Sequence, residues 1–132
     1  MQFSGLNKYK LKYGFSIPVE TAIGKGLYIG HFGSIAINPK AVIGENCNIS
    51  PGNTIRQTNR GKKQGVPTIG NKVWIGTNAI IVGQITIGDN ALIAPGAIVN
   101  FVVPEYDIVL GYPGKIVSYN GTEGYINRVL SI

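Results

Sequence analysis

Cysteine and histidine each occur once in these 132 residues, as Cys47 and His31, and tryptophan and methionine are single as well. One cysteine cannot close an internal disulfide, so a disulfide framework is excluded. One histidine is packing, a metal ligand or a catalyst, and nearly every function open to the chain depends on which. Charged residues make up only 14%, which with 44% hydrophobic content excludes a disordered chain and a charged helical bundle. No apolar run approaches the roughly 18 residues of a membrane-spanning helix, and the opening MQFSGLNKYKLKYG lacks the apolar stretch of a secretory signal. The expected location is the cytoplasm, whose reducing conditions suit a free thiol.

What is abundant points to turns and strands. Glycine numbers 19, and with the hydrophobic content this indicates an all-β protein of a single domain around one core. The net charge of +6 points to an anionic partner: a phosphorylated cofactor, an acidic glycan, nucleic acid or anionic lipid.

The strongest pattern is a repeat. Isoleucine stands at 17, 23, 29 and 35, at 37, 43, 49 and 55, and at 69, 75, 81, 87 and 93, with Val99 extending the last series. Glycine follows directly at 24, 30, 44, 70, 76 and 88, and small residues recur four places on, at Thr21, Cys47, Ala79, Ala91 and Ala97. Neither a helix nor a hairpin meander spaces residues by six. One short strand and a tight corner do, with the β-branched side chain inward and a small residue letting the chain turn. Stacked units bury a continuous column of isoleucine, each coil covering the next. The spacing predicts a parallel β-helix over 17–118, a cap segment over 1–16 and a tail over 119–132.

The pattern [Ile/Val]-Gly-x-x-[small]-x, followed by GYPGKIV at 111–117, resembles the hexapeptide-repeat acyltransferases. That resemblance covers residues 12–118 and implies a left-handed parallel β-helix with three hexapeptides per coil. The stretch IGKGLYIGHFGSIAINPKAVIGENCNIS is similar to the serine acetyltransferase branch, especially its short members that act on glycans. Acetyl-coenzyme A as acyl donor, a homotrimer and active sites between neighbouring chains are implied with it.

Two spacings break the period. Ile35 to Ile43 is eight, which assigns two extra residues to AINPKAV, just after the His31 hexapeptide. Ile55 to Ile69 is fourteen, and RQTNRGKKQGVPT reads as a loop at 56–68 thrown out of the solenoid wall. A basic loop of this kind is often merely solvated. In the functional reading Arg56, Arg60 and Lys62 border the substrate cleft and attract an anionic acceptor or the phosphates of coenzyme A.

By residue type alone, a lone histidine in a β protein is more often a surface or hydrogen-bonded residue than a catalyst. His31, however, matches the family's catalytic histidine in the same Gly-rich context, and the resemblance implies a general base. Acyl transfer from a thioester to an alcohol needs the hydroxyl proton removed as the oxygen attacks, a task suited to imidazole near neutral pH. The β-helical carbonic anhydrases need three histidines around zinc, which this chain does not supply; no metal is expected. Cys47 occupies a small-residue corner position and reads as structural. What orients His31 stays open between a main-chain carbonyl, Ser16 and Glu20.

In serine acetyltransferases an Asp precedes the catalytic histidine, a second Asp lies upstream, and an Arg-His pair precedes a Pro in the long loop. Here those places hold Gly30, Ser16, and Gly65 with Val66. Each difference removes a contact to an amino acid, so the expected acceptor is a sugar hydroxyl in polysaccharide or glycan synthesis. L-serine, as in cysteine biosynthesis, is the alternative, and a β-solenoid scaffold is the non-enzyme alternative. The interrupted wall and the missing Thr ladder argue against a scaffold.

For the donor, WIGTNAIIVG at 74–83, LIAPGAIV at 92–99 and the GYPGK turn match the family's coenzyme slot. Gly76, Ala94 and Gly96 would line a narrow pantetheine groove, and Lys115 would meet a phosphate as a point charge. The plainer reading of the glycines is corner formation. Trp74, outward beside inward Ile75, is an interface or a cofactor contact. Lys8, Lys10 and Lys12 belong to a cap over the first coil or to a cationic contact with membrane or another subunit. No nucleic-acid recognition motif appears.

Overall fold

The computed structural model describes residues 15–31 and 33–126. In chain order the strands are β1 (Phe15–Ser16), β2 (Ala22–Ile23), β3 (Tyr28–Ile29), β4 (Ile35–Ile37), β5 (Val42–Ile43), β6 (Asn48–Ile49), β7 (Thr54–Arg56) and β8 (Thr68–Ile69). They continue as β9 (Trp74–Ile75), β10 (Ile80–Val82), β11 (Thr86–Ile87), β12 (Leu92–Ile93), β13 (Ile98–Val99), β14 (Ile108–Leu110) and β15 (Lys115–Ser118). Up to β13 every third strand pairs in parallel, giving sheet A (β1-β4-β7-β10-β13), sheet B (β2-β5-β8-β11) and sheet C (β3-β6-β9-β12), to which β14 adds in parallel on β12 and β15 antiparallel on β14. The cap predicted for 1–16 and the end of the tail, 127–132, fall almost wholly outside the described residues.

Strands of two or three residues are too short to persist alone; the interior column holds them. Ile29, Ile49, Ile75, Ile93 and Val109 stack in register in sheet C. Ile37, Ile55, Ile81 and Val99 do so in sheet A, and Ile43, Ile69 and Ile87 in sheet B. All of these are buried, and each contributes about 1.5–3 kcal/mol of hydrophobic stabilisation. The corners are equally regular. Between sheets B and C, Asn46, Lys72, Asn90 and Tyr106 stack with φ of 57°, 53°, 61° and 66°, a left-handed conformation that Asn adopts more readily than most residues. Side chains tie neighbouring coils there: Asn71 Oδ1 accepts from the Glu45 N–H at 2.8 Å and Asp89 Oδ1 from the Asn71 N–H at 2.7 Å.

Register corrects the position of the first break. Ile37, not Ile35, pairs with Ile55, so the two extra residues lie between Ile29 and Ile37, inside the His31 corner, rather than in AINPKAV. Ile35 takes the buried corner place that Asn53, Ala79 and Ala97 hold in later coils, as the hydrogen bonds Gly52 N to Ser34 O and Ala36 N to Asn53 O establish. The sequence alone could not decide this, because Ile35 and Ile37 are both buried and either satisfies the period.

Candidate functional site

His31 stands on the corner between sheets C and A of the first coil, in the longer turn that the two extra residues create. It is exposed and lines a hollow of about 150 Å³ with Tyr28, Gly30, Asn48, Ile49, Ser50 and Trp74. Tyr28, Asn48 and Trp74 come from successive coils in one ladder, Tyr28 paired with Asn48 and Asn48 with Trp74. Inward isoleucines at 29, 49 and 75 force these three neighbours outward, onto the face beside His31. Tyr28, Asn48 and Ser50 are site residues that the sequence reading missed. The signal was present as the position before or after a column isoleucine, but it becomes legible only once coils are counted correctly.

Among the described residues the hollow is lined by His31, Asn48 and Ser50 together with Tyr28, Ile49 and Trp74, and by no carboxylate. Neither Ser16 nor Glu20, the candidates for orienting His31, lines it; Ser16 is in sheet A and Glu20 in the corner between sheets A and B, both exposed. Asn48 lines the hollow, and its Oδ1 is enclosed without a hydrogen-bond partner.

The coenzyme candidates share His31's edge. Gly76 lies two coils above it, Ala94 and Gly96 three, at the same C-to-A corner, so the run from His31 to Gly96 is about 15 Å at the spacing of adjacent strands. Asn53 braces the edge, its buried Nδ2 donating to Gly76 O at 2.6 Å and its Oδ1 accepting from the Ser50 N–H at 2.9 Å. A Cβ on Gly76 would come within 2.5 Å of Pro95 N, so close packing of coils demands that glycine whatever else it does. Gly96 differs: nothing lies within 4 Å of its would-be Cβ, and Asn78 holds the same corner position one coil below with φ 63°. The positive φ of 74° favours glycine or asparagine at 96, and glycine there leaves the surface bare. Above it the GYPGK turn closes the edge, with Gly114 N donating to Ile98 O at 3.1 Å, and Lys115 is exposed at the top.

Arg56, Arg60 and Lys62 are not brought to His31. They leave from the other edge of sheet A, where the loop folds against the next coil through Gln84 N to Lys63 O at 2.8 Å, and Lys63 Nζ reaches Asn100 O at 2.5 Å. Within one chain the width of sheet A separates this loop from His31. Cys47 is buried, its Sγ 3.1 Å from Gly70 O, and burial pushes its thiol up to about 11. It is a corner filler.

Residues 67–100 match the family model described as bacterial transferase hexapeptide (six repeats). The chain is 35% identical over 118 residues to serine acetyltransferase from Bacillus pumilus (strain SAFR-032), covering 89% of this chain and 54% of that protein. Neisseria gonorrhoeae serine acetyltransferase in complex with serine superposes with a TM-score of 0.74 at 36% identity, covering 85% of this chain and 46% of that one. This chain is similar to serine acetyltransferases over most of its own length. A serine acetyltransferase in complex with CoA is similar too, with a TM-score of 0.75 at 31% identity over 84% of this chain and 45% of that chain. The solenoid is a left-handed β-helix, the exception to right-handed parallel crossovers. The chain spans about half the length of the curated proteins it matches.

These relatives overturn the sugar acceptor read from the sequence, since their names specify serine. The reason is visible in the site. Of the departures that favoured a sugar, within this chain Gly30 lines the His31 hollow, while Ser16, Gly65 and Val66 do not.

Proposed function

We propose that this solenoid transfers an acetyl group from acetyl-coenzyme A to the hydroxyl of L-serine, with His31 as general base. The observation that carries the reading is His31 itself, the chain's one imidazole, presented at a hollow on the same edge as the bare strip at Gly96. His31 takes the serine hydroxyl proton as the oxygen attacks the thioester carbonyl. The oxyanion that forms collapses by breaking the C–S bond, and His31 returns the proton to the departing sulfur, leaving O-acetylserine and free thiol. A main-chain N–H at the hollow would suit the developing oxyanion.

Along the edge, Gly76, Ala94 and Gly96 would seat the pantetheine arm and Lys115 a phosphate. Arg56, Arg60 and Lys62 reach a His31 site only across an interface between chains, which a homotrimer would supply, each loop serving a neighbour's acceptor or coenzyme phosphates. A cytoplasmic setting accords with the single buried thiol. The test is product identification: incubation with acetyl-coenzyme A and equal amounts of L-serine and simple sugars should yield O-acetylserine. Acetylated sugar without O-acetylserine would contradict the reading.

A further inference from the structure

We propose that Tyr125 is a positioning residue for the acceptor, holding the Trp74 ring as the upper wall of the His31 hollow. The inference rests on the acceptor reading above. Tyr28 and Asn48 bring walls from the first and second coils, and Trp74 brings one from the third. Torsion of an indole about its terminal bond is broad, so an outward tryptophan needs a neighbour to fix its plane. That neighbour is Tyr125, whose ring meets Trp74 edge-to-face with centroids 5.3 Å apart and planes at 61°.

Tyr125 arrives from the segment that returns after β15, which is itself pinned. Gly121 N donates to Tyr106 O at 2.8 Å, Thr122 is buried, and Tyr125 N donates to Thr122 O at 2.9 Å. A Cβ on Gly121 would meet Tyr106 Cδ1 at 2.7 Å and Asn90 O at 2.8 Å, so the segment lies close against the corner between sheets B and C. Tyr125 does not line the hollow; its influence passes through Trp74 alone. A fixed wall on a hollow of about 150 Å³ selects a small hydroxy compound and rejects bulkier ones, and a loosened wall relaxes that choice.

Trp74 is the only tryptophan, so its emission reads the wall without any turnover. In Tyr125→Ala, the Michaelis constant for L-serine should rise about fivefold or more with kcat within twofold. The preference for L-serine over a bulkier hydroxy amino acid should fall, and Trp74 emission should shift red and quench more readily. Tyr125→Phe, which keeps the ring, should restore all three. If Tyr125→Ala does not fold, Tyr125→Leu takes its place with the same readouts. Wild-type turnover of L-serine with unchanged Michaelis constant, selectivity and emission in the variant overturns this inference and leaves the serine reading standing. Absence of wild-type turnover removes the serine reading instead. The emission then decides, an unshifted and equally quenched spectrum in the variant overturning the role of Tyr125.

Discussion

The coils from Ile69 to Val99 and the coils beneath them share one interior and differ in outline. In sheet C, Ile93 follows Ile75 by 18 positions, whereas Ile49 follows Ile29 by 20 and Ile75 follows Ile49 by 26. The isoleucine column tolerates no such variation, because each member must fall on the one below. Extra residues are therefore expelled at corners, two at His31 and eight in the basic loop. Regular coils are explained by packing alone, and irregular ones carry the groups that packing does not require. Substitutions in the two kinds of coil should fail in different ways.

The largest effect on stability should come from the regular column. Ile75→Ala leaves a cavity in a fully buried stack and should destabilise by about 2–5 kcal/mol, measured by chemical denaturation. A smaller loss, below about 1 kcal/mol, would show the coils relaxing into the gap. Next comes Cys47 at a regular corner. Its thiol rises from an ordinary 9.0 to about 11 on burial, so the folded chain holds that proton more tightly than the unfolded one. Stability owed to Cys47 is complete below about pH 9 and is lost as pH climbs towards 11, by roughly 2–3 kcal/mol. Denaturation at pH 8 and pH 11 should show a steeper loss in wild type than in Cys47→Ala, and equal slopes would refute it.

Gly96→Asn sharpens the contrast within one edge. Asn78 already occupies this corner conformation, so the variant should stay within about 1 kcal/mol of wild type. Its Michaelis constant for acetyl-coenzyme A should nevertheless rise severalfold. A coenzyme constant left unchanged would mean that the bare strip is not the slot. The smallest effect belongs to the loop: Lys63→Ala loses one hydrogen bond to Asn100 O and should cost about 1 kcal/mol or less, while making 56–68 more open to proteolysis. A large loss of stability would make the loop part of the core architecture.

Most of the column was legible in the sequence, because a β-branched residue every six positions admits no other burial, though Ile35 proved a corner residue and Val109 lies beyond the series. The placement of His31 at a corner was legible too, through the glycines around it. The first insertion was not, since Ile35 and Ile37 satisfy the period equally and only pairing with Ile55 separates them. The walls of the hollow were hidden for a similar reason. Tyr28, Asn48 and Trp74 are far apart in the chain and meet only through coils of unequal length. The acceptor was misread because absent side chains at Ser16, Gly65 and Val66 were taken as losses from a site that, within this chain, they do not line.

The most direct measurement is the initial rate of thiol release from acetyl-coenzyme A with L-serine, compared between wild type and His31→Ala at matched fold stability. An exposed His31 contributes little to the column, so the variant should melt with wild type and lose about 10²–10⁴-fold in rate. A folded His31→Ala that releases thiol as fast as wild type would contradict the assignment of His31 as the base.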